Sequence, residues 1–298
     1  MRRALDALAG ELRRLKDEGV TSVSVSESGL DALRAAVRGA AAAAPPAGAK
    51  PRDVPEPAAR AKPAATGEPP APPPFPPPPR VELPPGDKAA RWEALRALVR
   101  ADPVCLARVR PGKQVVLGVG NLDARIMFVG EAPGAEEEVQ GEPFVGPAGQ
   151  LLNRMIAGTG LSRADVYIGN IMNWRPEMPA GVDGVQFGNR PPTAAEMAYC
   201  MPYLRAQIAI VAPALLVALG ATATQGLLGH GAFRALGEVR GQWREFEGTP
   251  LMVTYHPSYI LRNPTNRSKR MIWEDFLKVM ERAGLAVSEK QRGYFLEK

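Results

Sequence analysis

Arg125-Ile-Met-Phe-Val-Gly130-Glu131-Ala-Pro-Gly134 joins a continuous apolar run to a turn that carries a carboxylate. An unbroken run of this kind suits a strand covered on both faces, because a half-exposed strand would alternate apolar with polar. Three later runs share the character: Val166–Met172, Ala214–Gly220 and Leu251–Tyr255. Helical stretches lie around them, over Trp92–Val99, Gln150–Thr159, Ala194–Val211, Ala221–Leu228 and Met271–Ala283. Strands alternating with helices predict an α/β domain of three layers, helix, sheet and helix, around a mostly parallel four-stranded sheet. The domain is expected over residues 88–287, with 288–298 as a C-terminal tail.

Upstream of that domain the composition changes. Leu5, Leu8, Leu12 and Leu15 recur three or four apart with charges between them, which predicts a short helix ended by Gly19. Val20–Ser26 alternates valine with serine, and Ser28 is a cap for a second helix through Val37. Residues 1–38 therefore read as a small helical module, either a docking or regulatory appendage that meets a protein partner, or a partly ordered leader. More than half of the 31 prolines fall in residues 39–87, a Pro/Ala-rich segment expected to be a disordered linker. A tether and a proline-motif ligand are the two readings of that segment.

The 298 residues carry a net charge of +6, which fits a polyanionic partner but does not demand one. Two cysteines are too few for a disulfide scaffold and point to a reducing compartment, the cytoplasm. No apolar run approaches the ~20 residues of a membrane span, so no membrane partner is expected, and the protein is read as a monomer.

In an open α/β sheet the ligand crevice lies beyond the carboxyl ends of the strands. The residues leaving the four runs are Gly130-Glu131, Asn170, Gly220-Ala221 and His256-Pro257. A carboxylate, an amide and an imidazole are thus brought to one edge. Glu136, Glu137 and Glu138 follow Glu131 closely and compete with it as the working carboxylate.

Four ordered motifs carry a resemblance: Gly130-Glu-Ala-Pro-Gly134, Gly141-Glu-Pro-Phe144-Val-Gly146-Pro-Ala-Gly149-Gln-Leu-Leu152, Val166-Tyr-Ile-Gly-Asn170, and His256-Pro-Ser-Tyr-Ile-Leu-Arg262. In order and spacing, over about Pro103 to Ala283, the chain resembles the type 4, thermophile-type uracil-DNA glycosylases. The resemblance implies a hydrolase of N-glycosyl bonds that flips uracil out of DNA and leaves an abasic site. It implies a uracil-binding set of Gly130, Phe144 and Asn170, in which Phe144 stacks on the base and the Asn170 amide pairs with a carbonyl and an adjacent N–H. It implies His256 as the donor to the uracil carbonyl oxygen and Glu131 as the carboxylate near the sugar, with Ser258 and Arg262 touching DNA. The start of the helix after Gly146 is a further source of phosphate donors.

Members of that family hold a four-iron cluster on four cysteines. Here Cys105 and Cys200 match two positions, Asp102 falls on the third and Trp174 on the fourth. The expectation is no cluster and no cofactor, with Trp174 and an extra stretch from Pro176 to Asn189 filling the space. A different class of function is a damaged-base binder or DNA-processing accessory that keeps the pocket without turnover. An unrelated nucleotide hydrolase finds no support, since the chain has no Gly-Lys-Ser or Gly-Lys-Thr phosphate loop.

Overall fold

The computed structural model describes residues 75–178, 186 and 188–296. The N-terminal module and the linker as far as residue 74 lie outside the described residues.

Lys88–Ala101 (α1) starts at Asp87, whose carboxylate accepts from the Ala90 N–H at 2.8 Å. Pro103–Arg108 (α2) follows, with Asp102 as its cap. Then come Val119–Gly120 (β1), Ile126–Gly130 (β2), Glu137–Gln140 (α3), Pro147–Gly158 (α4) and Tyr167–Asn170 (β3). Ala194–Val211 (α5) begins with a reciprocal capping box between Thr193 and Glu196. The remainder is Leu215–Leu219 (β4), Ala221–Leu228 (α6), Trp243–Phe246 (β5), Thr249–Thr254 (β6), Ser258–Arg262 (α7), Asn266–Arg282 (α8) and Glu289–Arg292 (α9).

The strand order is β1-β3-β2-β4-β6-β5. The four strands expected from sequence form the parallel centre, with Gly130 level with Asn170 and Val129 level with Ala218. Among the described residues the sheet has six strands rather than four, because β1 and β5 add antiparallel edges. Strand β1 is two residues long, and β5 is largely solvent-facing and charged, as edge strands are. The turn from β5 to β6 has Glu247 at φ 48° and Gly248 at φ 82°, the paired positive φ of a tight hairpin.

Every residue of β2 is buried, and the strand divides its side chains between two cores. Met127 and Val129 pack on the face covered by α1, α5 and α6, among Leu95, Leu204 and Leu227. Ile126 and Phe128 pack on the face covered by α4 and α8, among Leu152, Ile272 and Phe276. This is the three-layer α/β arrangement, and it explains the missing alternation: each side chain buried on either face contributes about 1.5–3 kcal/mol.

Two boundaries differ from expectation. Residues 75–87 form no helix or strand, but Phe75, Val81 and Leu83 pack against the core, so this end of the linker belongs to the domain. The tail carries α9, held by Trp273 Nε1 donating to Gln291 O at 2.6 Å and by Gln291 Nε2 donating to Gly158 O at 2.9 Å. Among the described residues no helix is long and apolar enough to cross a membrane.

Candidate active site

The connections leave β2 and β4 in opposite directions along the sheet, so a crevice opens where their carboxyl ends part. A cleft of about 600 Å³ occupies this position, and Glu131, Phe144, Asn170, His256, Ser258 and Arg262 all line it. Gly130 lies beneath. A Cβ there would collide with both Asn170 Oδ1 and the Phe144 ring, so the close meeting of those two side chains requires glycine.

Phe144 sits in the loop between α3 and α4 with φ 54°, the left-handed region that non-glycine residues rarely adopt. Glu137 Oε1 accepts from the Val145 and Gly146 N–H groups at 3.0 Å each, and its Oε2 accepts from Gly134 N at 3.0 Å. One of the phosphate donors expected at the start of α4, the Gly146 N–H, is thereby already used. The Phe144 ring is 5.5 Å from the His256 ring, centroid to centroid, tilted by 33°.

Asn170 ends β3 and is 6% exposed, yet among the described residues its Oδ1 has no hydrogen-bond partner. A buried acceptor left unpaired costs on the order of 1–3 kcal/mol, which a fold tolerates where a ligand supplies the donor. His256 follows β6, and its Nδ1 accepts from the Ser258 N–H at 3.2 Å, with Ser258 Oγ at 2.8 Å. Burial, reinforced by the charge of Arg262, lowers His256 to about 4. The imidazole is therefore neutral at pH 7, and with Nδ1 accepting, Nε2 carries the proton.

Burial pushes Glu131 up from the usual carboxylate range, partly opposed by a hydrogen bond from Thr222 at the start of α6. The competing carboxylates are otherwise engaged or exposed. Glu137 spends both oxygens on backbone N–H groups, and Glu138 is buried between Arg110 at 2.6 Å and Arg175 at 3.0 Å. Glu136 lines the cleft but is exposed. Of the four, Glu131 alone lines the cleft while being neither exposed nor held by backbone N–H groups or arginines.

At the rim, Arg262 Nη1 donates to Ser258 Oγ at 3.3 Å, and Leu261 beside it is 45% exposed. Arg270 is committed inside the protein, to Glu274 and to the carbonyls of Arg292 and Tyr294. Three cleft-associated residues gave no sequence signal: Thr222, Asn189 and Arg163. Asn189 lines the cleft and accepts from Arg175 Nε at 2.7 Å, while Arg163 reaches the carbonyl of Phe144 from behind.

The residues at the family's cluster positions do not fit an iron–sulfur cluster. Cys105 and Cys200 are buried and free, and burial raises both thiols. Asp102 faces burial, which alone would raise its carboxyl, but N–H and O–H donors prevail and lower it. Those donors are the Cys105 N–H at 2.7 Å on Oδ1 and the Tyr203 and Tyr199 hydroxyls at 2.7 and 2.8 Å on Oδ2. Trp174 offers no ligand atom, and its ring is 1% exposed among Phe75 and Tyr199. A cubane needs four thiolate-class ligands, and this site supplies two. Within the insertion, residues 179–185 and 187 lie outside the described residues.

The profile of the Uracil DNA glycosylase superfamily matches residues 117–277. The type-4 uracil-DNA glycosylase of Thermotoga maritima is 44% identical over 165 residues, covering 55% of this chain and 80% of that protein. The type-4 uracil-DNA glycosylase of Saccharolobus solfataricus is 40% identical over 176 residues, covering 57% and 76%. That of Archaeoglobus fulgidus is 39% identical over 175 residues, covering 57% and 82%. With the matched segment spanning the whole sheet and every cleft motif, the chain belongs to the uracil-DNA glycosylase superfamily, in its type-4 branch.

Proposed function

We propose that this chain excises uracil from DNA by hydrolysing the N-glycosidic bond, leaving an abasic site for base excision repair, and does so without a cofactor. The observation that carries the reading is the buried Asn170 amide, whose Oδ1 has no partner among the described residues and meets the Phe144 ring over Gly130, in a cleft shared with His256 and Glu131. Uracil presents a carbonyl and an N–H that one amide satisfies together, whereas cytosine leaves the same amide mispaired. Phe144 stacks on the flipped base.

As the bond from N1 to the sugar carbon breaks, its electron pair moves to the uracil, and His256 Nε2–H donates to the carbonyl oxygen where charge gathers. A neutral imidazole performs this without losing a proton. Glu131, ionised near the sugar, stabilises the developing cation and orients the water whose oxygen bonds to that carbon. Its raised affinity for protons suits it to take one from the water and pass it to solvent, and the departing uracil anion takes one proton from solvent. Ser258 and Arg262 hold the DNA backbone at the rim. Two buried free cysteines fit a cytoplasmic setting, and monomeric action with a protein partner at residues 1–38 completes the proposal.

Release of free uracil from single- and double-stranded uracil-containing DNA tests the reading. The wild type is expected to release uracil, and His256→Ala to be slower by ~10²-fold, the usual effect of removing one donor to a developing anion. Asn170→Ala is expected to lose discrimination against cytosine as well as rate. A wild type that binds the DNA but frees no base would move the reading to a damaged-base binder.

A further inference from the structure

The carbonyls at the strained Phe144 are held by one side chain, Arg163, while Glu137 holds the N–H groups that follow it. Arg163 stands in the 3₁₀ turn Arg163–Asp165 that leads into β3, a turn fixed by Ser162 N and Oγ both meeting Asp165 Oδ2 at 2.7 Å. Its Nη2 donates to Pro143 O at 2.6 Å, and its Nη1 donates to Phe144 O at 3.2 Å and to Asn153 Oδ1 of α4 at 3.2 Å. The guanidinium thus bridges two consecutive carbonyls and the following helix. Below, a Cβ at Gly149 would strike the Phe144 carbonyl, so that carbonyl lies directly on the first turn of α4. Arg163 is not among the residues lining the cleft.

We infer that Arg163 is a positioning residue that keeps Phe144 in its left-handed conformation and so presents the ring to the base. The inference rests on Phe144 being the stacking face. A left-handed aromatic residue is intrinsically unfavourable and persists only where its surroundings over-determine it. The paired N–H groups of a guanidinium satisfy two carbonyls that point the same way, which a lysine ammonium cannot match in geometry. Without them the loop relaxes toward negative φ, and the ring turns away from Asn170 and His256.

The test is a double-mutant cycle between Arg163→Ala and Phe144→Ala in the full chain, read as kcat and KM for uracil release and as inhibition by free uracil. Arg163→Ala is expected to raise KM and the uracil inhibition constant by about ten-fold, within the range for a lost stacking contact, with a smaller change in kcat. Arg163→Lys should lie between the two. In the Phe144→Ala background, Arg163→Ala should change KM by less than about two-fold, since the ring it positions is gone. An equal rise in both backgrounds would mean that Arg163 grips DNA itself, and would overturn the inference. A lower kcat at unchanged KM and unchanged uracil inhibition would mean only a loss of folded protein, and would overturn it too. If Phe144→Ala alone alters neither KM nor uracil inhibition, the stacking reading fails first.

Discussion

The Phe75 ring lies parallel to the Trp174 indole, 6.5 Å between centroids and 11° between planes, with Tyr199 edge-on to Phe75 at 5.6 Å. Arg108 covers Phe75 at 5.0 Å from its ring centroid. Four separated segments therefore converge where relatives by resemblance keep a metal cluster: the end of the linker, α2, the loop after β3, and α5. Aromatic packing above an Asp102 carboxylate saturated by hydrogen bonds holds them together. Phe75→Ala should lower stability by about 2 kcal/mol, a part of the cost of emptying a full core site, and Tm by about 4–8 °C for a domain of this size. Thermal melts of the full chain would check it; an unchanged Tm would mean that Phe75 merely rests on the surface.

The same site yields a prediction about iron. Anaerobic incubation of the wild type with iron and sulfide should leave it without bound iron, because two of the four ligand positions hold Asp102 and Trp174. Asp102→Cys with Trp174→Cys supplies four thiols in the family arrangement and should gain bound iron and visible charge-transfer absorbance. Stoichiometric iron in the wild type would sink this account of the site.

The parts of the molecule that were legible in sequence share a physical feature: each is defined by several residues acting together. Helix α5 is bounded by the Thr193 capping box, α6 by Gly220 and Gly229, and the four central strands by runs buried on both faces. Glu131, Asn170 and His256 were found because they leave strand ends in order, whereas Phe144, Ser258 and Arg262 were found only through the family resemblance. What escaped reading depends on single contacts. Strand β5 is built from Trp243-Arg-Glu-Phe246, which looks like a charged loop until the Glu247-Gly248 turn folds it onto β6. Phe75 is one aromatic in a proline-rich stretch, and Arg163 is one arginine in a turn, and neither local sequence says what it touches.

Stability against pH should carry two opposed signatures from groups near the end of β6. His256 is lowered from 6.5 to about 4 by burial and by Arg262, so its contribution is present above pH 6.5 and is lost as pH falls toward 4. Asp275 is raised from 3.8 to about 6, chiefly by burial against the pull of Thr254 and Arg240, so its contribution is present below pH 3.8 and is lost as pH rises through 6. Asp275→Asn removes the second signature and leaves the first. The stability of the wild type minus that of Asp275→Asn should fall as pH rises from about 4 to 6. Urea unfolding at stepped pH measures it, and a flat difference would refute the assignment.

Glu131 and Glu138 stand seven residues apart, and their environments separate their roles. Glu131 is half-buried, and burial raises its pKa, so its charge is a cost to the fold, as the proposed catalytic role would require. Glu138 is buried against Arg110 and Arg175, and removing one member of such a cluster leaves the others unpaired, at about 3–5 kcal/mol. Glu131→Gln should therefore slow uracil release by ~10²-fold, the scale of a lost electrostatic group at the reacting centre, while stability stays level or rises slightly. Glu138→Gln should do the reverse, lowering Tm while the protein that remains folded turns over at nearly the wild-type rate. Melting curves and single-turnover release on both variants decide it. If Glu131→Gln kept full activity, or if Glu138→Gln lost activity without losing stability, the working carboxylate would have to be sought again in the loop after Gly134.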